Sequence, residues 1–144
     1  MIDAQPVIAS AGPAELAFVL EAEDARLLTE IGFIAAYQGD VVNADAVFDG
    51  LARVRPGRAY PWVGKALARL YVGRADEAAK FLEQQMPKMA DEEEANLLQA
   101  WWGLTLQVSG HAARARALLE QLVDGSGPGT TLARSLLGLS EGTK

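Results

Sequence analysis

The sequence predicts an all-α protein built from consecutive helix hairpins, and three observations carry that prediction. Three glycines, Gly39, Gly73 and Gly110, recur at separations of 34 and 37 residues. Each follows an apolar segment of helical period and precedes an Ala-rich one. Each is a natural helix terminator, because glycine enters the left-handed conformation that commonly ends a helix without steric penalty. Three αα-hairpins follow, at about 25–58, 59–92 and 96–128, inside one helical domain spanning 13–140.

In the first hairpin Leu28, Ile31, Gly32 and Ala35 fall on one face of the first helix. Ala44, Phe48, Leu51 and Ala52 fall on one face of the second, and Pro56 ends it. The small residues Gly32 and Ala44 let the two helices approach. In the second hairpin Pro61 suits a first helical turn, Trp62 follows it, and Ala66 stands where the first hairpin has Gly32. Ala78 and Leu82 repeat the positions of Ala44 and Phe48. The third hairpin opens on Asp91-Glu92-Glu93-Glu94. Asp91 is placed to cap, Glu94 to reach back to it, and the acidic run suits the positive end of a helix dipole. That helix, 91–109, is longer than its counterparts. Trp102, Gly103, Leu106, Ala115, Leu119 and Leu122 complete the unit, with Pro128 after it.

Two flanks remain. Pro13–Glu23 reads as an N-terminal helix. Gly125 to Gly129 reads as a flexible break, followed by a short C-terminal helix over 131–139. Stacked helix pairs need end caps, and these helices are the candidates. Residues 1–12 and 141–144 are read as mobile.

Composition narrows the function classes. The 144 residues are half apolar, which suits one domain with a core of its own. There is no cysteine, so disulfides, thiolate metal sites and cysteine nucleophiles are excluded. A single histidine, His111, cannot supply a multi-histidine site. The net charge of −6 with pI about 4.8 disfavours nucleic acid and anionic membrane surfaces, which reward clustered Lys and Arg. The first basic residue is Arg26 and the longest apolar stretch runs only from Ile31 to Tyr37. No secretory signal and no membrane insertion are expected, and the reading is cytoplasmic. No phosphate-binding loop, dinucleotide fingerprint, nucleophile elbow or zinc-protease helix occurs, so no enzyme, cofactor or metal is expected. The run 91–94 is read as a solvated helix start, and Arg53, Arg55 and Arg58 as a solvated loop.

The 34-residue period, the pair Ile31-Gly32 where the family has Leu-Gly, Ala44 and Phe48 after it, and Pro56 closing the unit resemble the tetratricopeptide repeat (TPR). The resemblance implies a TPR-like stack whose first helices line a concave groove. It places Arg26, Thr29, Phe33, Ala36 and Tyr37 in that groove from the first unit. From the second it places Tyr60, Val63, Leu67, Leu70 and Tyr71, and from the third Leu97, Ala100, Leu104, Gln107 and Val108. The core of the site is Phe33, Tyr37, Tyr60, Val63, Leu67, Leu70, Tyr71, Leu104 and Val108. This set is mostly apolar or aromatic and suits an amphipathic helix. TPR domains that grip acidic chaperone tails carry Lys, Asn and Arg at such positions, where this chain has Thr29, Phe33, Tyr60 and Val63.

Leu27-Leu28-Thr29-Glu30-Ile31-Gly32-Phe33, Gln38-Gly39-Asp40, Ala44-Asp45-Ala46-Val47-Phe48 and Arg55-Pro56-Gly57-Arg58-Ala59-Tyr60-Pro61 are similar to small TPR proteins of bacterial type III secretion, the Hrp and YscG/PscG type. The likeness covers residues 25 to 125. It implies a cytosolic bacterial chaperone or co-chaperone that binds a secreted needle, filament or translocator subunit and blocks its premature assembly. Its partners would be a small helical secreted subunit and a second short co-chaperone. The alternative is a structural TPR adaptor that joins proteins or self-associates as a homodimer.

Overall fold

A computed structural model describes residues 22–139. The expected mobile segments 1–12 and 141–144 lie outside the described residues, as does Pro13–Glu23 apart from its last two positions. Among the described residues the fold is all-α, without strands. Seven α-helices run in order: α1 (Ala22–Tyr37), α2 (Val41–Val54), α3 (Tyr60–Tyr71), α4 (Ala75–Gln85), α5 (Glu92–Val108), α6 (Ala112–Glu120) and α7 (Pro128–Leu136). A 3₁₀ turn, Met86–Lys88, separates α4 from α5.

The three glycine turns are built alike. Gly39, Gly73 and Gly110 have φ of 71°, 79° and 91°. After each, the next residue's N–H reaches back to a carbonyl five positions earlier: Asp40 to Ala35 (2.9 Å), Arg74 to Arg69 (2.8 Å) and His111 to Leu106 (2.8 Å). The glycine N–H groups donate to Ala36, Leu70 and Gln107. This Schellman closure satisfies the last carbonyls of the outgoing helix and sends the chain straight into the next. Gly138 closes α7 in the same way, with Leu139 N–H donating to Arg134 at 2.8 Å.

The helices form two layers. The odd-numbered helices α1, α3, α5 and α7 touch in succession, while α2 wedges between α1 and α3, and α4 between α3 and α5. Antiparallel packing of α2 on α3 is fixed by crossing pairs, Asp45 with Arg69 and Asp49 with Lys65.

The core repeats a knob and a notch. Phe48, Leu82 and Leu119 are fully buried, and each lies 16 residues after a small residue of its own first helix: Gly32, Ala66 and Gly103. A Cβ on Gly32 would come within 2.7 Å of the Phe48 ring, and one on Gly103 within 2.6 Å of Leu119. Ala44, Ala78 and Ala115 occupy equivalent fully buried positions. Phe48 also fills a second notch, at Gly64 of α3, where a Cβ would run into the ring. One aromatic thus locks α1, α2 and α3 together.

Four sequence expectations change. Ile31 does not join the packing face of Leu28 and Ala35; it is 45% exposed. The C-terminal helix begins at Pro128, not 131, and ends at Leu136 rather than 139. Proline fits a first helical turn as well as it stops a helix, and here it starts one. The glycine-rich break is correspondingly short. Gly129 is buried against the α5 backbone, where a Cβ would meet the Asn96 carbonyl at 2.6 Å. Finally, Asp91 caps α5 by accepting from Glu94 N–H at 2.9 Å, but the Glu94 side chain does not reach back. It accepts from Ala59 N–H (2.7 Å) and Arg58 Nε (2.9 Å), tying the start of α5 to the start of α3.

Candidate polypeptide-binding groove

The α2–α4 side of the stack holds charge. Lys65 and Arg69, one turn apart on α3, reach Asp49 and Asp45, one turn apart on α2. Arg69 grips Asp45 through both terminal nitrogens, at 2.9 and 2.8 Å, and its Nε donates to Glu77 of α4 at 3.2 Å. Lys65 Nζ lies 5.1 Å from the Trp62 ring centre and 5.0 Å from that of Phe81, and Arg69 stacks on Phe81. These cation–π contacts and charge-assisted bonds account for two cations being nearly buried. The Arg69 guanidinium bonded to Glu77 holds that carboxyl below its ordinary range. Sequence reasoning missed this network. Its signal was the pair of i, i+4 spacings, acidic on one helix and basic on the next.

The odd-numbered helices carry the predicted groove residues, and the structure sorts them by depth. Tyr37, Tyr71 and Val108 stand at the same position of the three units, two residues before each turn glycine. They are 57%, 56% and 59% exposed. Tyr37 and Tyr71 meet edge to face with ring centres 5.8 Å apart. This is the geometry an aromatic quadrupole favours. Phe33, Leu67 and Leu104, one turn earlier, are half-buried. Phe33 lies 6.4 Å from the Tyr37 ring and 5.0 Å from Phe48, so it links the surface strip to the core. Leu70 and Val108 border a cleft of about 480 Å³ between the α3–α4 turn and the end of α5, which Arg74 and Glu77 also line.

Other groove positions are core. Val63 is 5% exposed, and Ala36 and Ala100 are fully buried. Val63 packs with Ala59, Ala66, Ala78, Leu82 and Leu98, because α5 covers that face of α3. Thr29 turns its hydroxyl to Ala25 carbonyl at 2.6 Å. Tyr60 is half-buried beneath Arg58, whose guanidinium lies 5.5 Å from the ring centre. The exposed residues therefore sit at the C-terminal ends of the odd helices, with half-buried Phe33, Leu67, Leu70 and Leu104 within one turn of them.

The N-terminal ends of α1 and α3 differ. There a cavity of about 410 Å³ is lined by Arg26, Thr29, Glu30, Arg55, Arg58 and Tyr60. The expectation of a groove almost without charged donors is corrected at this end. Arg55 and Arg58, read as part of a solvated loop, line this cavity together with Arg26.

His111 stands at the N-cap position of α6 without a side-chain cap bond, its side chain is 57% exposed, and its Nε2 lies 3.6 Å from Asp76. Among the described residues no group of three His, Asp or Glu is placed to hold a metal, and no helix is long and apolar enough to cross a membrane. Comparison with protein-family models, with curated proteins and with solved structures finds no match.

Proposed function

We propose that this chain is a helical-repeat protein of the TPR kind that binds a polypeptide along its odd-numbered helices and catalyses nothing. The observation that carries this reading is the strip Tyr37–Tyr71–Val108. Three large side chains, at one repeating position, are more than half exposed, each one helical turn after a half-buried apolar residue. Leaving such a strip in water is unfavourable by about 25 cal/mol per Å², so an apolar partner face gains by covering it. Tyrosines at its edge supply both rigid contact area and a polar tip.

The partner that suits a strip crossing several helices is an amphipathic helix with anchors at i, i+3, i+4 and i+7. Taken with the sequence resemblance to type III secretion TPR proteins, the specific proposal is a cytosolic bacterial chaperone or co-chaperone. It would hold a small secreted helical subunit by the surface that subunit uses to polymerise, with no nucleotide required.

The test compares capture by the wild-type protein and by Tyr37→Glu/Tyr71→Glu from the cytosol of the source cells, followed by mass spectrometry. Both positions are exposed, so the substitutions leave the fold intact; Leu67, packed into the core, would report on folding instead. The wild type is expected to retain one small helix-rich polypeptide that the double variant loses. Equal retention by both would remove the groove from consideration.

A second reading has its own observation. Leu27, Ile31 and Ile34 form a stripe on α1 and are 57%, 45% and 56% exposed. Such a stripe favours self-association or a scaffold with a second partner. Sedimentation of wild type against Leu27→Glu/Ile34→Glu separates the two: a dimer converted to monomer supports the scaffold.

A further inference from the structure

The cavity at the N-terminal ends of α1 and α3 contains an unexplained cation. Arg55 follows α2, and its backbone N–H caps that helix by donating to Leu51 carbonyl at 2.9 Å. Its side chain is half-buried, and its Nε is fully buried with no hydrogen-bond partner. Among the described residues the Arg55 guanidinium makes neither a hydrogen bond nor an ion pair. Every other buried side-chain nitrogen or oxygen of those residues has a partner. An unsatisfied buried donor is unfavourable, and one that persists calls for an acceptor supplied from outside the chain.

The neighbours define that acceptor. Arg26 and Arg58 line the same cavity, with the hydroxyl-bearing Thr29 and Tyr60 between them. The one acidic side chain on this lining, Glu30, reaches Arg26 only at 4.0 Å and makes no contact with Arg55. Arg58 is already paired to Glu94 through Nε, which fixes its position and leaves its terminal nitrogens without a hydrogen bond. Three guanidinium groups and one carboxylate line the cavity in a chain whose net charge is −6, so this is a local reversal of the protein's sign. The planar fork of a guanidinium matches a carboxylate in a bidentate pair.

We propose that this cavity binds one carboxylate of the polypeptide seated in the groove, an Asp or Glu side chain or a chain terminus, with Arg55 as the principal donor. The inference rests on the groove reading for the source of the carboxylate, and on Arg55 alone for the site. Thr29 and Tyr37 are eight residues apart on α1, about 12 Å at the helical rise. The partner would therefore carry its acid about 12 Å from the side chain that covers Tyr37, and the two contacts together would set its register.

The test uses small probes, so its outcome is independent of the groove. The Arg Nε–Hε resonances of the ¹⁵N-labelled full chain are followed during titration with N-acetylglutamate, N-acetylglutamine and inorganic phosphate. Arg55 Hε is expected to shift saturably with N-acetylglutamate, at least about tenfold more weakly with the amide, and not preferentially with phosphate. Read at the Arg26 and Arg58 Hε resonances of the same cavity, Arg55→Gln is expected to abolish saturation and Arg55→Lys to restore it in part, both with an unchanged backbone spectrum. No saturable shift at Arg55, equal response to the amide, or tighter binding of phosphate would each overturn the carboxylate site. None of these results touches Tyr37 or Tyr71, whose substitution tests the groove separately.

Discussion

Phe48 shows how single residues set this architecture. Its ring occupies space vacated by two glycines, Gly32 of α1 and Gly64 of α3. Truncation to alanine removes the contact to three helices at once, and Phe48→Ala is expected to lower stability by about 3–5 kcal/mol in denaturant unfolding. Gly64→Ala makes the opposite error. Its methyl enters the ring, and a loss of about 1–3 kcal/mol is expected. Combining Gly64→Ala with Phe48→Leu should then destabilise less than the two single changes summed, because the smaller side chain leaves room for the methyl. Full additivity would mean that the two residues do not share that space. Gly32 was legible in the sequence because it stands at a repeating position beside Leu28. Gly64 was not, because its partner belongs to the preceding hairpin and no pattern within its own helix marks it.

At the scale of helices, what could be read was what is local. Glycine turns, the Asp91 cap and Pro61 in the first turn of α3 depend on neighbours a few residues away, and all three appear where the sequence placed them. Pro128 was ambiguous for the same reason: a proline after a helix and a proline opening the next look alike in sequence. Glu94 was misassigned because its acceptor role lies 35 residues off, at Ala59. The charged ladder between α2, α3 and α4 is likewise a property of pairs of helices. Arg69→Ala leaves Asp45 and Glu77 without their shared cation, and a loss of about 2–3 kcal/mol is expected, below the figure for a fully buried pair because both carboxylates retain some water. Glu77 adds a pH signature. Its pKa is depressed in the fold by Arg69, so its contribution is present above the ordinary glutamate value of about 4.3 and is lost as pH falls through the lower folded value. Wild type should exceed Glu77→Gln at pH 7 by under about 1 kcal/mol, since the group is half-exposed, and the gap should narrow as pH falls below about 4.3. A gap that does not narrow on acidification would place the stabilisation elsewhere.

For the whole molecule, the two layers divide the labour. Charge and cation–π contacts bind the even-numbered helices to their neighbours, while the odd-numbered layer presents tyrosines and valine at its C-terminal ends and arginines at its N-terminal ends. The groove was legible in part. The repeat register put Tyr37, Tyr71 and Val108 at one repeating position, where all three are exposed, but register alone could not tell depth. Val63, Ala36 and Ala100 share the register and are core, because the next odd helix covers them. The arginine cavity escaped for a related reason, since Arg26 on α1 and Arg55 after α2 line it from separate segments of the sequence. The central claim is that a polypeptide lies on the tyrosine strip, and site-specific photo-cross-linking in the source cells tests it most directly. A photoreactive phenylalanine analogue is placed at position 37, at position 71, and at the exposed Arg116 on α6 as the opposite-layer control. One small polypeptide is expected joined to positions 37 and 71 and absent from 116. Cross-links at 116 alone, adducts equally spread over all three positions, or no adduct at 37 and 71 would contradict it.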